Sequence, residues 1–208
     1  MNNLCAILHI PQFVVRPLAL VTLGLALPMA VCAQIAAPKA AVVQIDPALL
    51  AKANAGDQAA QVAVGEAYAT APGKAQDCKL AADWFEKAAD RNNMDAILHL
   101  AALARDGCKT LPRDMARAAS WYTKAAELGD TTAQGTLGTL YSFGQGVAQS
   151  YTEAYFWLDV AAHTAGPRQA QYAANRQLAG AHITADEVDA ARERVENWLA
   201  SHPHPQGR

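Results

Sequence analysis

The stretch DWFEKAAD at residues 83–90 returns as SWYTKAAE at 120–127 and, more loosely, as FWLDVAAH at 156–163. Trp84, Trp121 and Trp157 therefore stand 37 and 36 residues apart. A second series keeps the same beat: Ala60, Ala96, Ala133 and Ala170 follow one another at 36, 37 and 37 residues. Five positions after each comes Gly65, Ala101, Gly138 or Asn175, and eight positions after comes Tyr68, Ala104, Tyr141 or Leu178. Two markers in phase over three full units and part of a fourth define a repeat. A period in this range means stacked units, each too small to bury its own apolar face.

Each unit reads as two helices. Ala81, Trp84, Phe85 and Ala88 fall at i, i+3, i+4 and i+7, a single apolar stripe. Ala118, Trp121, Tyr122 and Ala125 repeat it, as do Ala154, Trp157, Leu158 and Ala161. In the first helix of each unit, small residues at 65, 101 and 138 allow close backbone approach, and an aromatic usually fills the next gap. APGKAQ at 71–76, DGCKTLP at 106–112 and GQG at 144–146 supply turn chemistry between helices. The three tryptophans are thus expected in the core. Asp46-Pro47 opens a short helix through about Asn54 with an N-cap and a proline at the first helical position. Thr184 three residues ahead of Glu187 is a capping box. The helix it opens sets Val188, Ala191, Val195 and Trp198 on one face and Asp186, Asp189, Arg192, Glu193 and Glu196 toward water. Such a polar-backed end closes a solenoid.

The N-terminus does not belong to the repeat. Its first 33 residues hold one cation, Arg16, no acid, an apolar run from Pro17 to Leu27, then Pro28 and Val31-Cys32-Ala33. Val31-Cys32-Ala33 fits an A-x-A-like signal-peptidase site, with cleavage after Ala33. Two alternatives stand beside this reading. Lipidation at Cys32 meets a bulky Val31 just before the cysteine, and a retained anchor meets a run short of the roughly 20 residues a span needs. Residues 34–45 are expected to be a flexible linker, 46–200 the repeat domain and 201–208 a disordered tail. With residues 1–33 set aside, 16 Lys and Arg face 19 Asp and Glu, a net charge of −3. That balance carries no clustered basic footprint for nucleic acid. Cys78 and Cys108 are the two remaining cysteines, which in an oxidising compartment read as one disulfide.

The period near 36, the Gly144-x-Gly146-Val147 loop and the Trp-aromatic-x-x-Ala-Ala ending resemble the Sel-one-like repeat family, a branch of the tetratricopeptide-like helical solenoids. Residues 131–166 carry the fullest set: Ala133, Leu137, Gly138, Tyr141, Gly144, Gly146, Val147, Ala154, Trp157, Ala161, Ala162 and Gly166. Unit two has Ala101 and Ala104 where the family favours glycine and an aromatic, and unit one lacks the glycine-x-glycine loop. The resemblance spans roughly 54–180. It implies an all-α, right-handed α-solenoid of antiparallel helix pairs, with about three full repeats, a partial one and a capping helix. It implies a non-catalytic scaffold that presents a concave helical surface to other proteins, in exported bacterial examples around envelope assembly or stress responses.

In an antiparallel stack the start of one helix lies beside the end of the next. A Cys78–Cys108 bridge is therefore expected to pin units one and two together. Closing a loop of about 31 residues contributes about 3–4 kcal/mol in the chain-entropy account.

By analogy with related solenoids, the first helix of each pair lines the concave side. The positions this assigns to a protein-binding groove are Glu66, Leu98, Ala102, Arg105, Thr139, Ser142, Tyr172 and Arg176. Leu98 and Tyr172 would be apolar anchors, and Arg105 and Arg176 would meet a carboxylate or a chain terminus. No nucleophile elbow, zinc-protease helix or phosphate-cradling loop stands in the chain. His99, His163, His182, His202 and His204 are scattered. No catalytic residue, metal site or cofactor is assigned. The reading is an exported, periplasmic or secreted adaptor for an unidentified envelope protein or peptide segment. It has no nucleic-acid partner and no membrane span once the signal is removed. A peptidoglycan-fragment-binding or wall-acting enzyme is the alternative, and a structural subunit of an envelope complex is a third.

Protein recovered from the envelope fraction of cells expressing the full chain should begin at Gln34 by N-terminal sequencing. A start at Met1, or a lipid on Cys32, would contradict the cleavage assignment.

Overall fold

A computed structural model of the chain describes residues 43–72, 76–164 and 166–202. The chain divides into Met1–Ala37, which lies outside the described residues, and Pro38–Arg208. The expected signal segment, most of the linker and the tail beyond His202 likewise lie outside them. The described part is all helix apart from its turns: α1 Pro47–Asn54, α2 Gln58–Thr70, α3 Cys78–Ala89, α4 Met94–Asp106, α5 Met115–Glu127, α6 Thr131–Phe143, α7 Tyr151–Ala162, α8 Gln169–Gly180 and α9 Ala185–Ser201. No strand occurs among the described residues.

The sequence starts these helices with side-chain caps. Asp57, Asn93 and Asp130 each accept the N–H of the alanine three residues on, the same Ala60, Ala96 and Ala133 that mark the repeat. Asp77, Asp114 and Ser150 cap the second helices α3, α5 and α7. Asp46 caps α1 ahead of Pro47, and Thr184 with Glu187 forms the expected capping box on α9. Each cap satisfies a donor that the first helical turn leaves without a partner.

The backbone repeats along with the sequence. The N–H groups of Asp77, Asp114 and Ser150 donate to the carbonyls of Tyr68, Ala104 and Tyr141, at 2.8–3.0 Å. Those acceptors are the eighth-position series, so one bond fixes the turn inside each unit although the loops differ in length. Between units, Asp57, Asn93 and Asp130 donate to Lys52, Ala88 and Ala125, at 3.0–3.2 Å. The adjacent carbonyls are satisfied by side chains. Gln61 Nε2 reaches Ala53 and Gln134 Nε2 reaches Ala126, both at 3.2 Å, while Lys124 Nζ takes Ala89 at 2.7 Å. Unit two has Ile97 where units one and three have glutamine, and the lysine of α5 fills the role there.

The core is the second-helix stripe laid on the small residues of the first helix. Phe85, Leu158 and Ala101 are fully buried, and Tyr122 nearly so. A Cβ on Gly65 would lie 2.6 Å from the Phe85 ring, and one on Gly138 would lie 2.6 Å from Leu158 Cγ and 3.1 Å from the Ala154 carbonyl. The small residues thus make room for the side chain that follows each tryptophan. The tryptophans themselves sit at the edge of the stripe. Trp157 is buried, but Trp84 and Trp121 are half-buried, and Lys87 and Lys124 cover their rings at 3.6 and 5.7 Å from the centroids. The expectation of three core tryptophans is therefore met by one, because the neighbouring residue, 100° further round the helix, takes the central position.

Units one and two are joined by the Cys78–Cys108 disulfide, with a Cα–Cα distance of 6.5 Å. Thr110 Oγ1 accepts the Cys78 N–H in the same corner. Units two and three meet through Gly146, whose φ is 75° and whose added Cβ would lie 2.0 Å from the Met115 carbonyl.

The fourth unit breaks the pattern. α9 packs on α7, with Trp198 edge-on to Trp157 at 6.2 Å and Arg194 paired to Glu153 through two bonds. It scarcely touches α8. α8 therefore lacks the second helix that every earlier first helix has.

Gly146→Ala should destabilise the protein by about 2 kcal/mol or more in urea unfolding, from backbone strain and collision with Met115. Gly129→Ala, at φ 95° with open space around it, should cost only the backbone conformation, about 1 kcal/mol. Equal losses would show that unit three does not press on unit two through Gly146.

Candidate functional site

On α2 and α4 the charges meet one another. Glu66 Oε1 lies 3.0 Å from His99 Nε2, and the His99 ring stacks on buried Phe85 at 4.7 Å. Arg105 grips Asp106 with two bonds of 2.7 and 2.8 Å and donates to the Tyr122 hydroxyl at 3.0 Å. The Asp106 carboxylate raises the Arg105 pKa still further above its ordinary value, and the same bonds hold Asp106 below the usual carboxylate range. Burial raises the Tyr122 pKa, with Arg105 opposing it. Arg105 was expected to await a partner's carboxylate; its own helix supplies one. Leu98 and Ala102 are half-buried and offer no anchor standing clear of the surface.

α8 corrects two further expectations. By repeat register Tyr172 matches Leu98 and Arg176 matches Thr139, which placed both on the groove. Tyr172 is 7% exposed and lies over Gly135, where a Cβ would come within 2.1 Å of its ring. Arg176 turns to α7 and pairs with Asp159 at 2.5 Å. Asp159 is 4% exposed; its backbone carbonyl accepts the His163 Nδ1–H at 2.8 Å. Arg176, His163, Arg192, Val195 and Glu196 line a polar slot over Asp159, between α7, α8 and α9. With no second helix of its own, α8 rolls to bury Tyr172 and Ala179, and Arg176 goes with that side.

The roll turns another pair outward. Asn175 and Leu178 hold the register of Gly138 and Tyr141, positions that pack against a second helix in unit three. Here Leu178 is 67% exposed, and across from it on α6 Phe143 is 69% exposed. They bound a cleft of about 280 Å³, completed by Thr139, Ser142, Tyr151, Ala179 and His182. Thr139 and Ser142 donate their hydroxyls to carbonyls one turn back, which leaves each oxygen able to accept. His182 stacks on Tyr151 at 4.2 Å. Among the described residues the Asn175 amide makes no hydrogen bond. Of the expected groove residues, Thr139 and Ser142 are brought together here; Glu66, Leu98, Ala102 and Arg105 lie on the earlier first helices. Sequence reasoning missed Phe143, Asn175 and Leu178. The signal was present: no Trp-aromatic-x-x-Ala phrase follows α8.

The cleft holds donors, acceptors and apolar walls, and the Thr139 and Ser142 hydroxyls donate to backbone carbonyls rather than to His182. Among the described residues no group of three or more His, Cys, Asp or Glu could hold a metal ion, and no helix is long and apolar enough to cross a membrane.

The Sel1 repeat family pattern matches three times, at residues 58–93, 96–130 and 132–163. These segments coincide with the three helix pairs α2–α3, α4–α5 and α6–α7. The crystal structure of a Sel1 repeat protein from Oxalobacter formigenes is similar at 29% identity, over 60% of this chain and 92% of that one, with a TM-score of 0.51. A protective antigen of uropathogenic Escherichia coli strains that displays an SLR fold is similar at 20% identity, over 73% of this chain and 47% of that one, with a TM-score of 0.38. No curated protein matches.

Removing the arginine that pairs with buried Asp159, which also has His163 Nδ1 at 3.6 Å, should be costly. Arg176→Met should lower stability by about 3–5 kcal/mol in urea unfolding, and adding Asp159→Leu should recover most of it. Recovery absent in the double variant would show that the carboxylate does not depend on the arginine.

Proposed function

The chain belongs to the Sel1 repeat family, whose repeats generally mediate protein–protein interaction, and from that premise we propose that it is an exported, non-catalytic adaptor in the bacterial envelope. The observation that carries the reading is the α6/α8 cleft. Two large apolar side chains, Phe143 and Leu178, stand in water at its rims, whereas Tyr68, Ala104 and Tyr141, in register with Leu178, are partly or fully covered. An exposed apolar pair beside convergent polar groups is the usual make-up of a docking site. Export rests on the N-terminal sequence and on the Cys78–Cys108 bridge, which suits an oxidising compartment. Arg105 pairs with Asp106 on its own helix, so that cation sets the face's polarity and leaves the anchoring to the cleft.

Affinity capture from envelope extract should compare the native protein with a folded Phe143→Glu/Leu178→Glu variant, with peptidoglycan fragments offered in parallel. The reading expects protein prey held by the native form and lost by the variant. Glycan fragments bound or cleaved, with no protein retained, would contradict it.

A further inference from the structure

We infer that the α6/α8 furrow receives an extended peptide with a medium-sized apolar side chain and, four to five residues away, an acidic side chain. This rests on the adaptor reading above and names the chemistry of the segment it docks.

α6 and α8 run parallel, so the furrow between them has two ends. At the C-terminal end lies the apolar cleft of Phe143 and Leu178. At the N-terminal end a second hollow is lined by Thr131 and Thr132 of α6 together with Arg168, Gln169 and Tyr172. The Tyr172 ring over Gly135 floors the stretch between them. The apolar end carries no charged residue. Arg168 is the one ordinarily charged side chain lining the two hollows, and among the described residues it has no ion-pair partner. The furrow therefore presents an apolar grip at one end and a single cation at the other.

The spacing sets the register. Leu178 and Arg168 are ten residues apart on α8, about 15 Å at 1.5 Å per helical residue. An extended chain rises about 3.3 Å per residue, so it covers that length in four to five residues. Between the two grips, the Asn175 amide offers an NH2 group to donate and a C=O to accept, the complement of a peptide unit's C=O and N–H. Arg168 is exposed on a long side chain, which suits a pendant carboxylate of similar reach on an internal segment.

The test is selection of random linear dodecapeptides on the purified native protein, from one library displayed with no free C-terminus and a second displayed with one. Winners are then assayed by fluorescence anisotropy against Phe143→Glu, Arg168→Glu and Arg105→Glu variants, each checked for native circular dichroism. Enriched peptides with an apolar residue four to five positions from Asp or Glu are expected. Arg168→Glu should weaken them about threefold or more and Arg105→Glu should not, in line with an exposed pair turned repulsive. Winners that need Phe143 but ignore Arg168 overturn the acidic chemistry and leave the docking site standing. Winners indifferent to Phe143 overturn both. Binding found only for peptides displayed with a free C-terminus overturns the pendant carboxylate in favour of a chain end.

Discussion

The structure depends on one contact made three times: a bulky side chain of the second helix set into the space left by a missing one on the first. Phe85 over Gly65 and Leu158 over Gly138 occupy the same place in their units, and Tyr122 and Ala101 are buried at the matching positions of unit two. Burying each side chain contributes about 1.5–3 kcal/mol, but the geometric effect matters more. It fixes how closely the two helices approach, and so brings the eighth-position carbonyl within reach of the next cap. The hydrogen bonds to Tyr68, Ala104 and Tyr141 follow from that spacing, while the caps that hold Ala60, Ala96 and Ala133 are set locally by the residue three positions before each. Local preference and tertiary packing agree at every turn, which is what lets a short phrase specify a stack.

That agreement also explains what could be read from the chain alone. The helix pairs, the first and last caps and the Cys78–Cys108 bridge were legible because each is a short-range rule: a cap before a helix, a stripe at helical spacing, two antiparallel ends side by side. The roles of individual positions were less so. The tryptophans announce the repeat, yet two of the three lie at its edge under lysine side chains, because the loudest residue need not be the central one. Lys124 replacing a glutamine at the Ala89 carbonyl could not be seen in any residue-by-residue alignment of units, since it comes from the second helix of its unit rather than the first.

The candidate site shows where register reasoning ends. Carrying positions from unit three to α8 assumes that α8 has a second helix to pack against. α9 lies on α7 instead, so α8 rolls, Tyr172 and Arg176 are spent on Gly135 and Asp159, and Asn175 and Leu178 come to the surface. Charge told a similar story on α4, where Arg105 had the shape of a docking cation and turned out to be neutralised by its neighbour Asp106. The exposed apolar cleft is thus a consequence of ending the repeat, and the ending is what distinguishes this end of the stack from its middle.

The central claim is that this ending is the working face. It is tested most directly by placing a photo-crosslinking amino acid at Leu178 in cells, with matched positions at Leu80 and Leu128, the other large apolar residues that reach solvent among the described residues. The account predicts a discrete protein adduct at 178 and none at 80 or 128. Adducts at 80 or 128 with none at 178 would contradict it and move the interaction to another face of the solenoid.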